Sequence, residues 1–125
     1  MAWDAPEGMI TIDGTTGLTQ YRFVIGGSAG ATYPAAGAPI DGVIYSSGTT
    51  GSTETPRPIA IATRGIVKVS APASTLSAGD LCTASSIGQA ANTTAGDYVV
   101  GRVVDGSSGG AGRILTVLLN PIGTT

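Results

Sequence analysis

Apolar and polar positions alternate along most of this chain with a period of two, and no segment carries the three-to-four spacing of a helix. In "YRFVIGG", residues 21–27, Tyr21, Phe23 and Ile25 share one face while Arg22 and Val24 share the other. "IDGVIYSS", 40–47, predicts a second strand. "IAIATRGIVKVSA", 59–71, carries the strongest strand signal, because β-branched residues crowd it. There Ile59, Ile61 and Thr63 alternate up to Gly65, beyond which Ile66, Lys68 and Ser70 oppose Val67 and Val69. Gly65 marks the place for a bulge or a tight bend. "LCTAS" and "SIGQA" predict two shorter strands, with Leu76, Leu81 and Ile87 pointing inward. "YVVGRVVD" is split by Gly101, from which Arg102 projects. "RILTVLL", 113–119, is apolar on both faces, as in a strand inside a closed barrel or sandwich or one covered by a partner.

Between these runs stand turn formers. "SAGD" at 77–80 and "AGD" at 95–97 each set a glycine, free to take positive φ, before an aspartate that accepts backbone N–H bonds. "GTTGSTETPRP", 48–58, reads as an exposed loop, and "GGAG", 109–112, as a hairpin-like connection. The expectation is an all-β fold: a compact barrel or sandwich of seven to nine short antiparallel strands. Residues 1–20 form an extended N-terminal arm, 21–120 the β-domain and 121–125 a short tail. Within the arm, "MITI" suits a short strand. Trp3 has little beside it to bury it, so the arm is either a disordered terminus or an anchor that docks on a neighbour.

Composition narrows the function. The 125 residues include 20 glycines and seven prolines without a Gly-X-Y period, which excludes collagen, and 42% apolar content argues against disorder. Six basic and eight acidic residues give a net charge of −2, with no basic stripe for nucleic acid and weak attraction to anionic lipid. The single cysteine, Cys82, rules out an internal disulfide framework and reads as a small buried hydrophobe. No apolar run is long enough for a transmembrane helix, and the first residues lack the pattern of a signal peptide. No histidine occurs, which removes Ser-His-Asp and Cys-His catalysis and the usual zinc sets. Most carboxylates sit beside glycine, as turn residues do. "GGSAG", 26–30, lacks the lysine of a phosphate loop, and "DGTTG" and "DGSSGG" lack the carboxylate spacing of an EF-hand. The chain therefore reads as a binding or assembly protein, not an enzyme, with no catalytic, cofactor or metal residues.

The segments "GVIY", "IAIATRGIVKV", "LSAGDLCTA", "IGQA" and "YVVGRVVDGSSGGAGRILTVLL" resemble a family of small tailed-phage head proteins. The matching positions are Gly42-Val43, Gly65-Ile66-Val67 with Val69, Ala78-Gly79-Asp80-Leu81, Val99-Val100-Gly101-Arg102 and Val117-Leu118-Leu119, spread over residues 21–119. The "GSTETPRP" loop and the Trp3 arm lie outside that pattern. The resemblance implies a capsid decoration, or cement, protein: a homotrimer on the outer surface of an icosahedral head, made in the host cytoplasm. Its partner would be the major capsid protein, and it would contact neither nucleic acid nor membrane. On this reading Trp3, Ile10 and Ile12 are the expected capsid contacts. Arg64, Arg102, Ile114, Thr116 and Leu118 are the expected contacts between copies. Two rivals are a carbohydrate-binding or adhesive module built on Tyr33, Tyr45 and Tyr98, and a small β-rich enzyme whose Asp41, Asp80, Asp97 or Asp105 meet in one cleft.

Overall fold

The structure is a computed structural model that describes residues 4–49, 57–72, 74–106 and 113–124. Eight strands form in chain order: β1 (Ala5–Gly14), β2 (Phe23–Val24), β3 (Gly42–Ile44), β4 (Arg57–Ser70), β5 (Leu81–Ala84), β6 (Ala90–Asn92), β7 (Tyr98–Asp105) and β8 (Ile114–Thr124). No helix occurs among the described residues. Seven strands run side by side in the order β2-β3-β4-β8-β7-β5-β6, each antiparallel to its neighbours. The all-β expectation holds, and the sheet curls into a nearly closed barrel.

Closure occurs where β2 meets the turn joining β5 to β6. The Phe23 amide donates to the Gly88 carbonyl at 2.7 Å. Beside it, Arg22 donates from Nη1 to the Ile87 carbonyl at 3.1 Å and lies over the Tyr33 ring. Gly88 has φ +76°, and a Cβ there would stand 2.7 Å from both the Phe23 carbonyl oxygen and Tyr33 Cδ1. Only glycine lets the two backbones approach this closely.

The "YRFVIGG" segment is strand over just two residues. Tyr21 takes φ 64°, a left-handed conformation that ends the extended run on its N-terminal side. The turn is held from both sides, since the Tyr21 amide donates to Ile44 and its carbonyl accepts the Ser70 amide. By contrast strand pairing in β4 continues through Gly65, which takes φ +96° and shifts the alternation, so that Ala62 before it and Val67 and Val69 beyond it all face the barrel interior. There β4 is paired on both sides, with Pro6 of β1 and Leu119 of β8. A Cβ on Gly65 would stand 2.6 Å from the Ala5 carbonyl oxygen.

Alternation along β2, β3 and β4 feeds two cores. Phe23, Val43 and Ala62 are mutual strand partners and point into the barrel with Val67, Val69, Cys82, Val100, Leu115 and Val117. Their neighbours Val24, Ile44, Ile59 and Ile61 point outward, where Leu18 and Ala31 cover them in a second core. Both faces of this part of the sheet are therefore dry.

Two expected core residues lie outside. Register pairs Cys82 with Gly101 and Asn92 and turns Cys82 inward, so its neighbour Leu81 points out and is 42% exposed. Ile87 sits at the tip of the Ser85–Gln89 turn and is likewise exposed, whereas Leu76 is buried as expected. Residues 5–14, read as part of an arm, form β1, antiparallel to the first half of β4. Residues 121–124, read as a tail, continue β8.

Gly88→Ala should destabilise the barrel by about 3 kcal/mol, combining backbone strain with a forced gap at the closure. Gly79→Ala provides the comparison, because Gly79 also has positive φ but open space around it. It should cost only about 1 kcal/mol. Urea denaturation of the two variants checks this, and equal losses would show that closure at Gly88 contributes nothing.

Candidate functional site

The outer wall of the barrel carries one row of cross-strand partners. Leu81 on β5 lies opposite Arg102 on β7, Arg102 opposite Leu118 on β8, Leu118 opposite Ile66 on β4, and Ile66 opposite Ala5 on β1. Directly opposed residues share a face, so these five side chains form a band across five strands. Leu81, Arg102 and Ala5 are exposed, and Ile66 and Leu118 are half-buried. At the β1 end the band opens into a groove of about 410 Å³ lined by Ala5, Ile66 and Leu118 with Glu7, Arg64 and Gly65. Arg64 Nε and Glu7 Oε2 stand 3.5 Å apart at its rim, both largely exposed, a pair that adds little stability.

Three of the five residues expected between copies therefore gather here: Arg102 and Leu118 in the row and Arg64 beside the groove. Ile114 lies at the far end of β8, opposite Ser70, and is exposed. Thr116 is fully buried within the chain's own packing and has no surface to offer. Sequence reading did not single out Leu81 and Ile66 for this band. The signal was available, because alternation from a buried Cys82 turns Leu81 outward.

A second exposed feature is β1. Its partner β4 directs the amide and carbonyl of Ala60 towards β3, where they meet Ser46 Oγ and the Tyr45 amide. Alternation then directs Ile59 and Ile61 towards Ile12 and Ile10 of β1, and turns the Met9 and Thr11 backbone groups away from the sheet. In phase with them, the Asp13 carbonyl is already used, accepting the Ala31 amide at 2.7 Å. Ile12 packs against the second core, while Met9 (47% exposed) and Ile10 (48%) project from opposite faces beyond the reach of either core. Of the expected capsid contacts, Ile10 is thus presented to solvent, Ile12 is partly engaged by its own chain, and Trp3 lies outside the described residues.

The arrangement offers no catalytic geometry among the described residues. Asp41 accepts the Gly26 amide, Asp80 the Ser77 amide, and Asp97 the Thr94 amide and hydroxyl, at 2.6–3.0 Å. These three carboxylates close separate turns, and Asp105 ends β7. No group of three His, Cys, Asp or Glu could hold a metal among the described residues. "GGSAG" does not form an anion cradle either, since the Gly26 amide is taken by Asp41 and the Gly30 amide by the Gly27 carbonyl. The three tyrosines of the adhesive reading each have other partners. Tyr33 lies against Arg22, and Tyr98 gives its carbonyl to Thr83. Tyr45 stacks edge-on with Tyr21 at 5.4 Å. The Tyr45 hydroxyl also accepts the Lys68 amide at 2.6 Å. Burial pushes that phenol well above its ordinary range, the Lys68 amide opposes the shift, and a hydrogen bond with Asp4 adds to it.

No family model matches the chain. No curated protein matches it in sequence. A solved structure does share the fold: the crystal structure of the head fiber gp8.5 N base in bacteriophage phi29, at TM-score 0.69 and 15% identity, over 90% of this chain and 95% of that one.

Burial pushes the Cys82 thiol up to about 12. The folded state therefore holds the neutral thiol, while the unfolded chain ionises near its ordinary value of about 8.5. Stability from this group is fully present below that value and is lost progressively as pH rises towards 12. Native protein should resist iodoacetamide at pH 8 and react only as it unfolds. Rapid alkylation of folded protein would contradict the buried position.

Proposed function

We propose that this chain is a non-catalytic structural protein on the outer surface of an icosahedral phage head, where it braces the shell by bridging neighbouring major capsid subunits. The observation that carries the reading is the whole-chain likeness to a head fiber base, with nearly all of each chain covered. The molecule's own surface supports it. Asp41, Asp80 and Asp97 are committed to turns, charge is scarce, and the exposed features include apolar side chains and open backbone.

The physical task is simple. A protein that binds the assembled lattice but not free subunits adds its binding free energy to the assembled state alone. Many weak contacts suffice when copies act together. The contact we assign to the shell is β1. Met9 and Ile10 offer apolar side chains on both faces, and the backbone of Met9 and Thr11 leaves an open edge. Self-association as a homotrimer, with synthesis in the host cytoplasm and attachment to completed heads, completes the proposal.

Purified protein added to heads that lack it should give ordered density outside the shell at local symmetry axes in cryo-electron microscopy. Decorated heads should also withstand higher temperature before releasing DNA. Ile10→Asp and Met9→Asp replace exposed side chains, so both variants should fold normally yet bind at least about tenfold more weakly, a loss of about 1.4 kcal/mol. Bare heads after incubation with the wild-type protein would overturn the proposal. Undiminished binding by both variants would move the contact away from β1.

A further inference from the structure

The outer band has two unlike ends. Towards β5 stand an exposed apolar knob, Leu81 on β5 itself, and beside it on β7 an exposed cation, Arg102, which has no partner among the described residues. At the β4–β1 end stand the groove of about 410 Å³ and an exposed carboxylate, Glu7. Shape and charge at one end complement those at the other. β5 lies three strands from β4, so Leu81 and the Ala5–Ile66 side of the groove face different sides of the wall, with Arg102 and Leu118 between them. A single chain cannot bring them together. A second copy can, by presenting its knob to the first copy's groove.

We infer that copies of this chain associate head to tail, with Leu81 of one copy seated in the groove formed by Ala5, Ile66 and Leu118 of the next and Arg102 facing Glu7 across the contact. Such a contact is heterologous: each copy uses one patch to give and a different one to receive. It repeats from copy to copy, and where the rotation between copies closes it forms a ring in which every copy is equivalent. The half-buried Ile66 and Leu118 become covered, which accounts for an apolar band on the outside of a barrel with so few charges. Glu7 is shared between Arg64 of its own copy and Arg102 of the neighbour.

This inference rests on the self-association in the proposed function and names its surface. The test is made in solution with the full chain, by native mass spectrometry and sedimentation equilibrium. Thermal melting and circular dichroism confirm that each variant folds. Leu81→Asp removes the knob and Ala5→Asp blocks the groove; both positions are exposed, and each variant alone should dissociate to monomers. Mixed together, they retain one good knob and one good groove, so they should recover a heterodimer and nothing larger. Arg102→Glu should weaken association about tenfold. Adding Glu7→Arg should restore part of the loss.

A wild-type chain that remains monomeric at its highest soluble concentration overturns the inference. So does association unchanged by Leu81→Asp, or a mixture of the two blocked variants that stays monomeric. A monomer that still decorates heads would defeat this contact and leave the head-binding reading intact. A ring that ignores heads would do the reverse.

Discussion

The bond from the Phe23 amide to the Gly88 carbonyl joins the two ends of the sheet, and the organisation of the barrel follows from it. β2 is two residues long and β6 three, so neither would persist as a free edge. Held together through the turn before β6, they protect the two ends of the seven-strand path in a chain that has few charged residues with which to do so. Closure also encloses a core made almost entirely of valine, leucine and alanine around a single phenylalanine. Side chains this small suit the interior of a seven-stranded barrel. The cost falls on one glycine, whose missing side chain leaves room for Phe23 and Tyr33.

Burial on both faces of β2, β3 and the first half of β4 is the second organising feature. The segments on either side of β2 pass over the outside of these strands and lay Leu18 and Ala31 on Val24, Ile44, Ile59 and Ile61. Ile12 of β1 packs at the margin of this second core, which links the outermost strand to the body of the molecule through more than backbone pairing. Where this covering stops, Ile10 and Met9 emerge into solvent, and further round the wall the band from Leu81 to Ala5 is left open. The exposed apolar surface is thus set by the extent of the overlying segments.

Much of this was legible in the sequence because strand alternation depends only on neighbours. Val67 and Val69 share one face of their strand, and Leu115 and Val117 one face of theirs, as their spacing predicts, and the structure turns all four inward. The "SAGD" and "TAGD" turns are closed by Asp80 and Asp97 with the same hydrogen bonds. What sequence spacing could not supply was register. Leu81 was expected inside because it is leucine, and it lies outside because Cys82 pairs with Gly101. Tyr21 reads as a strand residue, yet contacts with Ile44 and Ser70, distant in the chain, hold it in a left-handed turn. The candidate surface is a row of five residues from five strands, and its membership exists only once all four pairings are known.

The register of β1 on β4 determines how the molecule carries mechanical load. Their partners run in one uninterrupted phase from Ala5 opposite Ile66 to Gly14 opposite Arg57. A pull along the axis of β1 strains these pairings all at once, and the strand yields only when many break together. A pull across that axis peels them singly from one end. The same ten residues are therefore a strong tether in one direction and a zipper in the other, and the angle at which force arrives decides how long the attachment lasts.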